Sequence, residues 1–180
     1  MDRLPRASRA AFEPEDQQIF DELEARGARI IDLHLLLANA PNVALPLLEV
    51  TKQLRASGQL PPQLRELAIL RTTRLNDAEY EVTRHTKNAL AVGVEREQLQ
   101  QLDDFEASDR FSELEKAVLR LATELHAPPL TVTDKTWGVL KGALSDRAIT
   151  ELLIAIGMYH LGSRFERAVQ LVIEPWYEKA

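Results

Sequence analysis

Apolar residues recur along this chain every three or four positions, the spacing of helix faces. β-Branched residues nowhere alternate with polar ones over a useful length. The pattern predicts an all-α protein. Pro14, Glu15 and Asp16 open an amphipathic stretch with Ile19, Phe20 and Leu23 apolar, stopped at Gly27. Ile30 to Leu37 is apolar on nearly all sides and ends before Pro41. A third segment runs from about Ala44 to Leu54, with Pro46 in its first turn, where the missing N–H costs little. Pro61 and Pro62 open a helix over Gln63 to Arg74. Asn76 and Asp77 then break the chain, and Asp77 is placed to cap a helix from Ala78 to Val92, closed by Gly93. Glu95 to Asp104 is a short acidic segment. Ser112 and Glu115 form a capping box ahead of the stripe Leu114, Val118, Leu121, Ala122 and Leu125, which Pro128 and Pro129 end. Two more helices follow, Thr133 to Leu140 and Asp146 to about Val172. The last has Ile149, Leu152, Leu153, Ile156 and His160 in one stripe and ends before Pro175.

Length and composition narrow the class. The chain has 180 residues, of which 45% are apolar, enough for one domain with a sizeable core. Residues 1–13 read as an extended arm and 14–180 as the helical domain, with no linker long enough to divide it. A weak echo between Leu60–Ile69 and the segment beginning at Leu144 has two readings, a duplicated hairpin or chance among Leu-rich helices. No apolar run approaches the roughly 20 residues of a membrane span, and the N-terminus has no apolar signal region, so a cytoplasmic setting without membrane contact is expected. The net charge of −6 argues against a partner held by phosphate contacts, so no nucleic acid is expected. Cysteine is absent, which excludes disulfides, thiolate metal sites and thiol redox chemistry from this chain's own side chains. No His, Asp or Glu cluster has zinc or iron spacing, and no glycine-rich nucleotide pattern occurs, so neither a metal nor a cofactor is expected.

The window from Leu64 to His85 is the most informative. Glu81 and His85 are four apart on one predicted helix and share a face, and His85 continues the apolar stripe of Ala78, Val82 and Ala89. A carboxylate raises an imidazole pKa while burial lowers it, so the pair is a candidate for proton transfer. It is equally an ordinary helical pair. Glu66 lies among Leu64, Leu67, Ala68, Ile69 and Leu70, where an acid must be paired, protonated or facing a cavity. Arg71, Arg74 and Arg84 are either solvated charges or forks for a substrate carboxylate. Among the other histidines, His34 and His160 read as core or interface residues. His160 has Tyr159 or Glu151 in reach, and His126 sits at a helix end where a cation suits the dipole. Trp137, Trp176 and Tyr177 suit either the core or a subunit contact.

The spacing Glu66, Ala78, Glu81, His85, with Leu-Arg-Glu-Leu-Ala-Ile-Leu ahead and Ala-x-x-x-Gly-Val behind, resembles the carboxymuconolactone decarboxylase family, whose superfamily includes the AhpD-type alkyl hydroperoxidases. The resemblance continues through Leu114–Ala122 and Glu151–His160 to Ala168, covering about residues 30–175. It implies an AhpD-like helical bundle assembling as a homo-oligomer, commonly a trimer or hexamer. AhpD-type members carry Cys-x-x-Cys-x-x-x-His with a glutamate about three turns earlier. Those positions are Ala78, Glu81, His85 and Glu66 here, so no thiol peroxidase cycle can run. The decarboxylase branch tends toward Glu-Tyr-Glu-Trp-x-x-His, and this chain has Val82 in place of the tryptophan.

What the resemblance implies is a cofactor-independent lyase acting on a small carboxylated or lactone substrate in aromatic-compound degradation. His85 would donate or shuttle the proton, Glu81 would orient or relay, and Glu66 would relay from behind. Tyr80 would bond the substrate, and Arg71 or Arg74 would hold a spectator carboxylate. The alternatives are another proton-transfer enzyme, such as an isomerase or hydrolase, and a non-catalytic small-molecule binder.

Overall fold

Helix starts follow the capping residues. The computed structural model describes residues 3–25, 30–56 and 58–177, apart from the side chains at 15 and 16. Among these residues it is all helix: α1 (Gln18–Ala25), α2 (Asp32–Leu37), α3 (Pro41–Ala56), α4 (Pro62–Leu75), α5 (Glu79–Ala91), α6 (Arg96–Gln100), α7 (Glu113–Glu124), α8 (Asp134–Ala143) and α9 (Asp146–Val169). The Ser112 box forms as read, with the Ser112 hydroxyl accepting from the Glu115 N–H and the Glu115 carboxylate accepting from the Ser112 N–H. Thr133 and Ser145 cap α8 and α9.

α4 is the axis. It is buried on nearly every side, which is why its apolar residues show no single stripe. Leu64 and Ala68 enter a cluster with Leu121, Leu140, Ile149, Leu152 and Ile156 of α7, α8 and α9. Leu67 and Leu70 enter another with Ala89, Leu99, Leu102, Phe105 and Leu119. A third cluster joins Ile19, Phe20 and Leu23 of α1 to Ala44 and Leu48 of α3.

Several expectations are corrected. The arm is not simply extended: Arg9–Ala11 forms a short 3-10 helix, Ala7 is buried, and its N–H donates to the Leu35 carbonyl. α3 begins at Pro41, so Pro46 lies inside the helix and Pro41 takes the first-turn place. The acidic segment holds α6, capped by a Glu95–Gln98 box. α9 stops at Val169, where Gln170 turns left-handed at φ 59°. Asp77 does not cap α5. It sits left-handed at φ 50° in the turn, the cap position falls on Ala78, and no side chain there accepts an N–H. The stop at Gly27 lies outside the described residues. No helix among the described residues is long and apolar enough to cross a membrane.

Candidate functional site

α5 brings Glu81 and His85 together on one face, and α4 sets Glu66 against that face. All three are buried, at 1% exposure for Glu66, 6% for Glu81 and 3% for His85. Glu66 Oε2 lies 2.6 Å from His85 Nδ1. A carboxylate only accepts, so this contact places the ring proton on Nδ1. Nε2 then faces Glu81, whose Oε2 is 3.5 Å away. Glu66 thus holds the Nδ1 side of the ring and Glu81 lies on its Nε2 side.

The two carboxyls are tuned in opposite directions. Burial pushes Glu66 up, but the His85 hydrogen bond and the charges of His85, Arg55 and Arg65 together hold it below the ordinary carboxylate range. Arg65 Nε is 3.5 Å from Glu66 Oε1. For Glu81, burial outweighs the opposing pull of His85, Arg84 and Arg55, and its carboxyl is raised. Tyr159 of α9 sets its ring edge-on to His85 at 4.6 Å, and its hydroxyl accepts from Arg55 Nη2 at 3.3 Å. Burial, followed by the charge of Glu81, raises the Tyr159 hydroxyl, which keeps its proton.

Glu81, His85 and Tyr159 open onto a cavity of about 610 Å³ between α2, α3, α5 and α9. Part of its wall is apolar, with Leu33, Leu37, Leu47, Leu48 and Phe165, and the cations Lys52, Arg55 and Arg84 and the ring of His34 also line it. An apolar wall with a few convergent polar groups is the usual form of a small-molecule site. Among the described residues, no carboxylate forms an ion pair with Arg55 or Lys52 inside the cavity; Lys52 pairs with Glu49 along α3.

Three expected binding residues are not brought to this cavity. Arg71 and Arg74 both reach Asp103, each at 3.0 Å, and Arg71 Nε also donates to the Thr123 hydroxyl. The reason is helical phase, since Arg71 lies about 140° round α4 from Glu66. Tyr80 is buried, and its hydroxyl donates to Glu174 Oε1 at 2.9 Å. That carboxylate also accepts the Asp32 N–H at the start of α2 and lies 3.6 Å from Arg84 Nη1, tying the C-terminal segment to the cavity wall. His160 faces away from the site. Its Nδ1 meets Asn76 Nδ2 at 2.9 Å and its ring stacks on His126.

Sequence reasoning missed Arg55, Lys52 and Tyr159. Lys52 and Arg55 follow Leu48 at helical spacing, a signal that marks a shared face but not what it faces. It also missed Glu166, a carboxyl on α9 with 3% exposure whose Oε2 accepts the Glu81 N–H at 3.2 Å.

Comparison with known proteins agrees with this architecture. Residues 41–124 match the model of the Carboxymuconolactone decarboxylase family. No curated protein matches the sequence. Among solved structures, the AhpD core of an uncharacterized peroxidase-related protein from Ralstonia eutropha JMP134 aligns with a TM-score of 0.79 at 17% identity, over 97% of this chain and 93% of that one. A cysteine-to-alanine variant of the debrominase Bmp8, in complex with 2,3,4-tribromopyrrole, aligns with a TM-score of 0.78 at 19% identity, over 97% and 95%. A peroxidase-related protein from Silicibacter sp. TM1040 gives 0.78 at 15% identity, over 97% and 92%. These likenesses establish the fold.

Proposed function

We propose that this cysteine-free chain, whose residues 41–124 match the Carboxymuconolactone decarboxylase family model and which has the AhpD-like fold, is a proton-transfer enzyme of that family, a decarboxylase-type lyase acting on a small carboxylated or lactone compound. The observation that carries this reading is the row Glu66–His85–Glu81, with contacts of 2.6 Å and 3.5 Å, ending at the cavity wall. No residue of this chain can act as a thiol nucleophile.

Decarboxylation of a conjugated carboxy-lactone fits these parts. The bond between the carboxylate carbon and the ring breaks, carbon dioxide leaves, and its electron pair passes into the conjugated lactone carbonyl. The lactone oxygen then carries negative charge, which fixed donors stabilise, usually the largest contribution to such a reaction. Arg55, with Tyr159 beside it, and Lys52 are donors that line the cavity. The enolate is protonated at carbon from the His85–Glu81 side, and a positioned acid supplies roughly 10²–10⁴-fold. Glu66 stays ionised and holds the imidazole in the tautomer that keeps Nε2 toward the reacting carbon. The leaving carboxylate belongs against the apolar wall, where poor solvation favours its loss as a neutral gas. We further propose a role in aromatic-compound degradation, a cytoplasmic setting and homo-oligomeric assembly.

The test is ultraviolet turnover of carboxymuconolactone by the purified chain, by His85→Ala, and by Arg55→Met. Turnover by the wild type that falls at least roughly 100-fold in His85→Ala, with a pH–rate limb lost in Glu81→Gln, is expected. Undiminished turnover in His85→Ala overturns the assignment. Saturable binding of the lactone without turnover, read by calorimetry, points instead to a non-catalytic binding protein. Benzoate, an apolar ring with one carboxylate, probes the anion side alone. Its affinity is expected to fall about tenfold in Arg55→Met.

A further inference from the structure

α5 begins without a capping side chain, because Ala78 stands at its cap position and offers none. The first-turn N–H groups of a helix need acceptors. Here they find one on another element. Glu166 of α9 accepts from the Glu81 N–H at 3.2 Å, and the neighbouring Tyr80 N–H also favours its charged form. The next residue completes the grip: Arg167 Nη1 donates to the Asp77 carbonyl at 2.9 Å, just before the helix starts. One turn earlier on the same face of α9 lies Gly162, where an added Cβ would stand 3.4 Å from Glu81 Oε1. α9 thus leaves room for the Glu81 side chain with a glycine and holds the Glu81 backbone with a glutamate.

We propose that Glu166 is a positioning residue for Glu81: it caps α5 from α9 at the residue that faces the cavity, and it forms with Glu81 a pair of neighbouring buried carboxyls that keeps one proton through neutral pH. The second half rests on the proton-transfer reading for its importance, but not for its test. Glu166 Oε2 sits on the Glu81 backbone, and the Glu81 charge raises the Glu166 carboxyl, so the two do not both ionise readily. Glu81 is faced by Arg55 from α3, Glu66 from α4, Arg84 and His85 from α5, and Tyr159 and Glu166 from α9. Those cations favour Glu81 as the first of the pair to ionise. Glu166 has Arg167 as its cation, and burial, then the Glu81 charge, pushes its carboxyl up to about 8. Through neutral pH the proton therefore stays on Glu166, one helical turn from the cavity, and the pair carries one negative charge rather than two.

The experiment uses the full chain without substrate. Protein labelled with ¹³C at glutamate carboxyls is titrated by NMR, with resonances assigned through Glu81→Gln and Glu166→Gln. Amide hydrogen exchange is read at Tyr80 and Glu81. The Glu166 carboxyl is expected to titrate near 8 and to fall by roughly one pH unit in Glu81→Gln. Exchange at Tyr80 and Glu81 is expected to quicken about tenfold in Glu166→Ala, and to return close to the wild-type rate in Glu166→Gln, which keeps an acceptor oxygen. A Glu166 midpoint in the ordinary carboxylate range, a midpoint indifferent to Glu81→Gln, or exchange at the two amides that Glu166→Ala leaves unchanged overturns the proposal. If Glu166→Ala does not fold, the two Gln variants still decide it. Because no substrate enters, absence of lactone turnover leaves this result standing, and its failure leaves the turnover result standing.

Discussion

Replacing Glu66 tests how the site is held together. The carboxylate has 1% exposure and a 2.6 Å bond to His85 Nδ1, with Arg65 at 3.5 Å on its other oxygen. Glu66→Ala leaves the ring N–H without an acceptor and takes the carboxylate away from the buried Arg65 guanidinium, which keeps, among the described residues, only the Leu54 carbonyl at 3.0 Å. Losing one partner of a buried pair costs about 3–5 kcal/mol. Glu66→Gln keeps an acceptor for Nδ1 and removes only the charge, so its cost is roughly 1–2 kcal/mol. For a chain of this length that is a fall in Tm of roughly 2–8 °C at fixed protein concentration. The folded carboxyl lies below its ordinary value. Its contribution is therefore complete at pH 7 and is lost as pH falls through the folded value, where wild type and Glu66→Gln converge. Urea unfolding of the three proteins at pH 7 and near pH 4 measures this. Equal stability of all three at pH 7, or a wild-type advantage that grows on acidification, refutes the reasoning.

Gly162→Val should fill the space beside Glu81, since its Cβ would stand 3.4 Å from Oε1. Benzoate binding by calorimetry should weaken roughly tenfold while melting is unchanged or higher, valine being the better helix former. Tyr80→Phe removes the hydroxyl that meets Glu174 Oε1, and should cost about 1–3 kcal/mol in urea unfolding with benzoate affinity unaltered; a loss of affinity without loss of stability would return Tyr80 to the binding site. Arg71→Ala and Arg74→Ala, both directed at Asp103, should leave benzoate affinity unchanged in the same calorimetry. Leu152→Ala, at a fully buried position in the cluster between α4, α7 and α9, should cost about 2–5 kcal/mol by chemical denaturation.

Helical phase explains both what was legible in the sequence and what was not. Glu81 and His85 share a face because four residues nearly complete a turn, and the structure pairs them. Glu66 was legible as a buried acid in need of a partner, though not as the partner of Nδ1, because nothing in one helix's sequence names the ring that crosses it. Arg71, Arg74 and Tyr80 sit close to these residues in sequence but on other faces, and Asp103 and Glu174, their partners, lie far along the chain. Tyr159 and His160 are adjacent, hence about 100° apart on α9. The stripe that singled out His160 led to Asn76 and His126, and its neighbour reached His85. The fold was easier to read than the site because burial patterns repeat along each helix, while the site is made once, where four helices meet.

Three buried carboxyls, Glu66, Glu81 and Glu166, would repel one another if all were ionised. Their surroundings separate them instead. A hydrogen bond from His85 and the nearby arginines keep Glu66 a carboxylate, so it can only accept. Burial raises Glu81, and burial with the Glu81 charge raises Glu166 to about 8. Groups whose surroundings push their pKa values apart can divide the roles of base and acid at one pH. The order along the line is then a permanent acceptor behind the imidazole, the carboxyl of Glu81 in front of it, and a proton held on Glu166 at the foot of α5. The family resemblance puts cysteines at positions 78 and 81, one at the cap of α5 and one at the cavity. Here the first position is Ala78, which leaves the cap to Glu166, and the second is Glu81, which the proposed function assigns to proton transfer. Both positions meet α9, where a glycine at 162 leaves space beside Glu81 and an acceptor at 166 holds its backbone. Reintroducing cysteines at 78 and 81 should therefore not restore thiol chemistry unless Glu166, now competing as an acceptor for the same first turn, is removed as well. Peroxide consumption by Ala78→Cys/Glu81→Cys, with and without Glu166→Ala, decides this, and full activity in the double variant alone would refute it.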